Sequence, residues 1–284
     1  MSKGLLDPKV DFVFKNIFGS PNHPEILISF LNATLKAKKK IVNVDIKKTD
    51  IEKQYIEDKY SRLDVKATTS NDEIINIEIQ LKNENNMVKR SLYYLSKMYE
   101  EQLNEKEDYS KLVRTVCINI LNFKYLKTDN FHTGYRFKEI ESNEELTDIM
   151  EVHFIEIPKL QDSSDEKDML VAWTEFLKDP ESEKVRGLEL SIEEIRQAKD
   201  ELIRMSNDST QRELYDMRAN SLRDKMSELN AAERKGIEKG REEGREEGRK
   251  EEKIKIARSM KLSGLDTNTI AKITNLSEDE IDKL

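Results

Sequence analysis

Two neighbouring segments of the chain, 61–69 (SRLDVKATT) and 73–82 (EIINIEIQLK), alternate between apolar and polar residues through most of their length. Because successive side chains on a strand point to opposite faces, this period of two predicts two strands, each with one apolar and one polar face. The residues between them, Ser70, Asn71 and Asp72, are turn formers at hairpin length. The pattern therefore predicts an antiparallel β-hairpin.

The turn also predicts which residues of the hairpin face one another. With Asn71 at the centre of the loop, the numbers of paired residues sum to 142, so Asp64 lies opposite Glu78 with Cβ atoms about 5 Å apart. Gln80 falls on the same face, opposite Arg62. Opposed carboxylates destabilise a hairpin unless a divalent cation lies between them. The hairpin is thus a candidate metal site, although an ordinary solvent-facing strand surface gives the same pattern, and a one-residue slip would turn one strand over.

The spacing of apolar residues in the first 180 residues predicts further helices and strands. The predicted helices are 8–19, 24–36, 84–106 and 165–178, and the other predicted strands are 41–46, 112–121, 131–139 and 149–157. The segment 112–121 is apolar almost throughout, which is typical of a strand covered on both faces. The order α-α-β-β-β-α-β-β-β-α predicts an α/β or α+β domain with a mixed central sheet flanked by helices.

Charge and cysteine content narrow the classes of function. The chain is 37% charged and its formal net charge is −8, so any contact with DNA must use local patches. The densest basic cluster is Lys36, Lys38, Lys39 and Lys40, and it fits a solvated helix end equally well. A single cysteine, Cys117, excludes an internal disulfide and a cysteine-based zinc site. We expect neither zinc nor an organic cofactor.

The sequence also bears on location. No stretch approaches the roughly 18 consecutive apolar residues that a membrane-spanning helix requires. The opening residues MSKGLLDPKVDF lack the apolar core of a signal peptide. We therefore predict a cytoplasmic protein with no membrane partner.

The residues around the hairpin resemble a known family. The run KYSRLDVKATTSNDEIINIEIQLK is similar to the D…(D/E)-x-(K/Q) core of PD-(D/E)XK nucleases, in particular the Rpn-like recombination-promoting nucleases, also described as PD-(D/E)XK family transposases. DPKVDFVFKNIFG, ILISFLNATL, RSLYYLSKMYEEQL and YSKLVRTVCINIL resemble that branch as well. The resemblance covers roughly residues 5–160. It implies a restriction-endonuclease-like fold and a Mg²⁺-dependent endonuclease that hydrolyses DNA phosphodiester bonds.

The resemblance also implies roles for individual residues. Asp64 and Glu78 would bind Mg²⁺ or another divalent cation such as Mn²⁺, and the backbone carbonyl of Ile79 would add a ligand. Gln80 would orient or polarise the attacking water. Many relatives have lysine in place of Gln80, and an amide can hold water but brings no positive charge to the phosphate. The Rpn-like branch shows the same exchange, so Gln80 does not by itself argue for inactivity.

Three more residues are candidates for a supporting role. Asp11, on the first predicted helix, matches an acidic position of the branch and would assist the metal, unless it is a plain acidic helix start. Lys89 and Arg90 begin the helix after the hairpin and would contact the phosphate backbone, unless they are simply solvated.

The chain is predicted to contain four regions. Residues 1–180 form the nuclease-like domain, 181–234 a polar helical region, 235–250 a Gly/Glu/Arg repeat and 251–284 a small helical unit. Glycine recurs every four residues in the repeat, which is therefore either a flexible charged linker or, as we favour, a marginal helix that helps oligomerisation. The last region resembles a helix-turn-helix, but residues 250–284 hold seven basic and seven acidic residues, so oligomerisation or regulation fits as well as DNA reading.

The leading hypothesis is a metal-dependent DNA endonuclease active in recombination, transposition or defence, which forms a homo-oligomer through its C-terminal helices. The alternative is a catalytically weak or inactive DNA-binding or assembly protein that retains the nuclease fold. A third class is a protein-interaction scaffold acting through the tail.

Overall fold

The computed structural model of the chain describes residues 4–36, 39–47, 65–165 and 167–284. Two compact units are present, Met1–Asn220 and Ser221–Leu284. No helix in these described ranges is both long enough and apolar enough to cross a bilayer. The four-region division by sequence, with its boundaries at 180, 234 and 250, stays a prediction.

The elements of the first unit follow the predicted order. They are α1 (Asp11–Phe18), α2 (Pro24–Leu35), β1 (Val44–Lys47), β2 (Val65–Thr69), β3 (Ile74–Gln80), α3 (Met87–Glu100), β4 (Thr115–Leu121), β5 (His132–Lys138), β6 (Glu145–Glu156), α4 (Met169–Lys178), α5 (Glu183–Glu189) and α6 (Glu193–Asn207). Helix α7 (Ser209–Leu262) begins in the first unit and ends in the second, where α8 (Thr267–Thr274) and α9 (Glu278–Asp282) follow.

The strands form one mixed sheet in the order β1-β2-β3-β4-β6-β5. The centre is parallel, because β4 pairs in parallel with both β3 and β6. The flanking pairs β1–β2, β2–β3 and β5–β6 are antiparallel. All residues of β4 are buried, as expected of a parallel strand with helices on both faces. The predicted α/β architecture with a mixed central sheet is confirmed.

The register of the β2–β3 hairpin is the predicted one over the described pairs. Lys66 pairs with Asn76 and Ala67 with Ile75, so each pair sums to 142. The backbone N–H of Thr69 donates to the carbonyl of Glu73 (2.9 Å), which closes the turn. Within this turn Asp72 adopts φ 61°, a left-handed conformation that aspartate tolerates in hairpin loops.

A layer of helices covers one face of the sheet. Phe18 of α1 contacts the rings of Phe30 (centroids 5.4 Å apart) and Trp173 (5.3 Å), which joins α1, α2 and α4. A Cβ on Gly19, at the end of α1, would lie 3.3 Å from Cγ2 of Val65. This layer therefore covers the face of the sheet that carries Val65 and its partner Ile77.

Helix α3 covers the opposite face, which carries Asn76 and Glu78 of β3. Their neighbours on β4 are Cys117 and Asn119. Met87 and Leu95 of α3 pack with Cys117, Leu121, Val152 and Phe154. Glu78 is only 1% exposed and Asn76 is fully buried. The alternative interpretation of the polar face of β3 as a solvent-facing surface is therefore wrong, because α3 folds over it.

The second unit has its own small core. Ala257 of α7, Ile270 of α8, and Leu276 and Ile281 at α9 form a buried cluster. Helix α9 begins with a capping box, in which Ser277 and Glu280 bond reciprocally. The repeat 235–250 is helical and belongs to α7.

Candidate active site

Glu78 lies near the carboxyl end of β3, under the first turns of α3. Its Oε2 accepts a hydrogen bond from Nε of Arg90 at 3.1 Å. Burial raises the pKa of the Glu78 carboxyl, and the charge and hydrogen bond of Arg90, followed by the nearby Asn76 amide, oppose this shift only in part. The Glu78 carboxylate is therefore buried where its charge is unfavourable, and Arg90 is the cation beside it.

Arg90 is well placed to remain charged beside Glu78. Burial alone would lower the pKa of the guanidinium, but the Glu78 carboxylate outweighs this effect and raises it. The guanidinium carbon also lies 5.1 Å from the centroid of the Tyr94 ring, a distance at which a cation and an aromatic face attract. The side chain keeps 25% of its surface exposed, so Arg90 reaches from solvent to the buried carboxylate.

The second oxygen of Glu78 is unsatisfied. Oε1 of Glu78 and Oδ1 of Asn76 are both buried, and neither has a hydrogen-bond partner among the described residues. A buried oxygen without a partner costs about 1–3 kcal/mol. A carboxylate oxygen is also the kind of ligand that hard divalent cations such as Mg²⁺ prefer. Oε1 of Glu78 therefore fits one ligand of a metal ion.

Further polar residues lie beneath α3 next to Glu78. The Ser91 hydroxyl is 2.9 Å from Oδ1 of Asn119, and Nδ2 of Asn119 donates to the carbonyl of His153 at 3.1 Å. The sequence analysis missed Asn119 and Asn76 as members of the site. The only signal in the sequence was an amide side chain inside an otherwise apolar run, at a core position where a polar group needs partners.

Cys117 is buried, as the sequence predicts. Its Sγ lies 3.9 Å from Nδ2 of Asn76 and 3.8 Å from Nδ2 of Asn119. Burial raises the pKa of the Cys117 thiol to about 12. The thiol is therefore protonated and is not a nucleophile at neutral pH.

Gln80 is the last residue of β3 and is half-buried. Its backbone carbonyl accepts a hydrogen bond from Asn122, the residue after β4, at 2.9 Å. The Gln80 side-chain amide makes no hydrogen bond within the part of the chain that the structure describes. Ile79, whose carbonyl is a predicted metal ligand, has its side chain buried.

The remaining predicted site residues are Asp64, Lys89 and Asp11. Asp64 and Arg62 lie outside the described residues. Lys89 is exposed on α3. Asp11 accepts a hydrogen bond from Arg218 at 3.1 Å, and none of its contacts within the described ranges involves Glu78 or Gln80. The structure thus brings together Glu78, Arg90 and Gln80 among the predicted residues.

Lys66 of β2 is a further cation on the polar face of the hairpin. It pairs with Asn76, but its Nζ is 3.9 Å from Glu101 at the C-terminal end of α3. Burial lowers the pKa of Lys66, and Glu101 partly offsets this. Among the described residues no set of three or more His, Cys, Asp or Glu side chains is arranged to hold a metal ion.

Comparison with known families agrees with this geometry. Residues 8–232 match the PD-(D/E)XK nuclease family transposase model, and residues 250–284 match the C-terminal helix-turn-helix domain of the Rpn/YhgA-like nuclease family. Neither a curated protein nor a solved structure matches the chain significantly. The mixed six-stranded sheet flanked by helices is consistent with the PD-(D/E)XK fold. The chain therefore belongs to the PD-(D/E)XK nuclease family transposases, with the C-terminal domain of the Rpn/YhgA-like branch.

Proposed function

We propose that the protein is a DNA endonuclease that depends on Mg²⁺ or Mn²⁺ and that its centre is formed by Asp64, Glu78 and Gln80. The observation that carries this proposal is the state of Glu78. One of its oxygens is held by Arg90, while the other is buried and unsatisfied among the described residues. Membership of a nuclease family supports the reaction class.

Asp64 enters this proposal through the register of the hairpin. The described pairs of β2 and β3 all sum to 142. Continuing the same pairing by one residue would bring Asp64 opposite Glu78, where cross-strand Cβ atoms are about 5 Å apart. Two carboxylates at that separation would share a divalent cation.

Oε1 of Glu78, the carboxylate of Asp64 and the backbone carbonyl of Ile79 would hold the cation. Such an ion stabilises charge on a phosphate and lowers the pKa of a bound water. The Gln80 amide would orient the attacking water by hydrogen bonds. Hydrolysis would then proceed by attack of water on phosphorus while one P–O ester bond breaks and the leaving oxygen takes up a proton, without a covalent enzyme intermediate.

Arg90 acts in this scheme as a positioning residue. By holding Oε2 it fixes the orientation of the Glu78 carboxylate, as partners of metal ligands commonly do. Its exposed edge leaves room for the phosphate contact expected from the sequence. Lys89 supplies a second such contact. For Asp11 we propose no direct metal contact, because its carboxylate is bonded to Arg218.

A catalytically weak protein is the second candidate, and the missing charge of Gln80 favours it over full activity without by itself arguing for inactivity. A neutral amide stands at the position where many relatives carry a lysine, so the site lacks one positive charge near the phosphate. Such a protein would keep DNA binding and metal binding but hydrolyse DNA slowly.

For the second unit we propose a role in oligomerisation, and its match to a helix-turn-helix domain supports DNA binding as well. The first turn of α9 carries Glu278, Asp279 and Glu280, whose charges would repel a phosphate backbone. Ile237 is 65% exposed on an otherwise charged stretch of α7, which is a surface that a partner helix would cover. We propose a cytoplasmic homo-oligomer, formed through the C-terminal helices, that acts on DNA in recombination, transposition or defence.

Plasmid nicking tests the enzymatic proposal. The wild type should convert supercoiled plasmid to open circles with Mg²⁺ or Mn²⁺, and Asp64→Asn and Glu78→Gln should each abolish this conversion. Lys138→Gln, an exposed change on the edge strand β5, is the matched control and should cleave like the wild type. Plasmid that stays supercoiled with every divalent cation, or nicking that survives Asp64→Asn, contradicts the assignment.

A further inference from the structure

The loop after β4, residues 122–131 (NFKYLKTDNF), interleaves lysines with aromatic residues. We infer that this loop, together with Lys89, binds the sugar-phosphate backbone of the DNA substrate. The inference rests on the proposed function, because it takes DNA as the ligand of the Glu78 site. Nothing in the family match assigns a role to this loop.

The loop lies beside the candidate active site. It begins at the carboxyl end of the parallel strand β4, and its first residue, Asn122, donates its backbone N–H to the carbonyl of Gln80 at 2.9 Å. Ligands of open α/β sheets bind outside the carboxyl ends of the strands. A nucleic-acid backbone that reaches Gln80 must therefore pass close to this loop.

Buried charges fix the backbone of the loop. Glu156 is 1% exposed, and its Oε1 accepts hydrogen bonds from the backbone N–H groups of Tyr125 and Leu126. The Lys159 side chain, 7% exposed, lies 2.6 Å from Oε2 of Glu156 and donates to the carbonyls of Leu126 (2.7 Å) and Thr128 (2.6 Å). A buried ion pair contributes little net stability by itself. Its effect here is to hold a surface loop in one conformation.

Three apolar side chains of the loop pack inward, and its two lysine side chains are exposed. Phe123, Tyr125 and Leu126 pack against the core cluster beneath α3. Lys124 and Lys127, which flank Tyr125 and Leu126, are exposed, and neither forms an ion pair within the described part of the chain. A rigid loop that turns its apolar residues inward and two unneutralised ammonium groups outward suits an anionic partner.

Lys89 extends this basic surface onto α3. The Tyr125 hydroxyl accepts a hydrogen bond from the backbone N–H of Val88 at 3.5 Å, which places the loop next to Lys89. Lys89 is exposed and is also without an ion-pair partner among the described residues. Lysine is a point charge suited to phosphate contacts that position a duplex without reading its sequence.

Lysines nearer the other end of α3 are neutralised instead. Lys97 pairs with Glu100 (3.1 Å) and Lys66 with Glu101 (3.9 Å), and Lys111 pairs with Glu107 at 2.8 Å. The contrast between the paired lysines there and Lys89, Lys124 and Lys127, which lack ion-pair partners among the described residues, locates the anion-binding surface in a protein whose net charge is negative.

The double variant Lys124→Gln/Lys127→Gln tests the inference. Binding of a fluorescent duplex by the full chain is followed by anisotropy in EDTA, where cleavage cannot occur, over a series of NaCl concentrations. Removal of one lysine that neutralises a phosphate reduces the slope of log Kd against log salt by about one. We expect the slope of the double variant to fall by about 2 and its affinity at low salt to fall several-fold.

Lys111→Gln/Lys138→Gln removes the same charge elsewhere and is the matched control. It should bind like the wild type, and circular dichroism should show that both double variants are folded. Equal slopes for the two double variants overturn the inference, and so does a wild type that binds no duplex. A wild type that binds with the expected slope but never nicks plasmid supports the loop assignment and rejects the nuclease proposal.

Discussion

Nε of Arg90 lies 3.1 Å from Oε2 of Glu78, while the other oxygen of this carboxylate is buried without a hydrogen-bond partner among the described residues. The two residues are twelve positions apart, on β3 and α3. Their contact explains how a carboxylate that is 1% exposed can remain in the core. It also leaves one oxygen open to the cation proposed above, so the stability of the protein and the proposed metal binding would depend on the same group.

Removal of Arg90 should destabilise the metal-free protein. Arg90→Met leaves Glu78 buried beside no cation, and breaking a buried pair in this way typically costs about 3–5 kcal/mol. We expect a loss of about 3 kcal/mol in the free energy of unfolding in urea, part of which Mg²⁺ restores by compensating Glu78. Arg90→Lys keeps the charge and should lose less. An unfolding midpoint that does not change in Arg90→Met contradicts the ion pair.

Glu78→Gln should separate stability from activity. Burial raises the pKa of Glu78 more than Arg90 lowers it, so the charged carboxylate is a cost to the metal-free fold. The partner left behind, Arg90, is 25% exposed, so water can solvate it and the cost of about 3–5 kcal/mol for an uncompensated buried charge does not apply in full. We expect Glu78→Gln to be at least as stable as the wild type in EDTA while it loses metal binding. A variant that unfolds at much lower urea would show that Glu78 has a purely structural role.

Gln80 should affect the rate of DNA cleavage more than the affinity for the metal ion. Gln80→Leu removes the group that orients water, and groups that assist proton transfer or water attack contribute roughly 10²–10⁴-fold. We expect single-turnover nicking to slow by about 10²-fold with little change in the Mn²⁺ dissociation constant. Gln80→Lys restores the lysine of many relatives and should nick at least as fast as the wild type. Equal rates for Gln80→Leu and the wild type would exclude a role for this side chain.

The stability of the fold should fall in mild acid because of His132. Nε2 of His132 lies 2.9 Å from Nδ1 of His153, whose Nε2 lies 2.7 Å from Oε1 of Glu151. Burial, and then the neighbouring His153, lower the pKa of His132 from 6.5 to about 4. A base whose folded pKa is depressed binds protons more weakly when folded, so stability is constant above the unfolded pKa and decreases as pH falls towards about 4.

Linkage gives the size of this effect. Lowering the pKa of His132 from 6.5 to about 4 decreases the free energy of unfolding by about 3 kcal/mol between pH 7 and pH 4. The free energy of unfolding should show a decrease of that order for the wild type and a smaller one for His132→Phe. A His132→Phe variant with the wild-type pH dependence contradicts this assignment.

The sequence predicted more of the hairpin than of the site around it. Over the described residues from Val65 onward, the alternation was sufficient to predict strands, faces and register, because side chains alternate strictly along a strand. The order of helices and strands followed from the spacing of apolar residues. Burial of the Glu78 face was not predicted, since a period of two separates the faces of a strand without showing which of them a helix will cover.

Contacts between segments that are far apart in the sequence could not be predicted either. Arg90 was expected to contact phosphate, and its pairing with Glu78 depends on how α3 lies across the sheet. Asn119 occurs in a run that is otherwise almost wholly apolar, and its partners Ser91 and His153 come from α3 and β6. Strand β4 pairs in parallel with β6, and β5, which lies between them in the sequence, is at the edge of the sheet. No local sequence pattern specifies this strand order.

The central claim is that Glu78 and Asp64 bind the same divalent cation. Calorimetric titration of Mn²⁺ into the wild type, Glu78→Gln, Asp64→Asn and the control Lys138→Gln tests it most directly. We predict that the wild type and Lys138→Gln bind Mn²⁺ alike and that each carboxylate variant binds at least about 10-fold more weakly. Equal Mn²⁺ affinity in Glu78→Gln and the wild type would contradict the account.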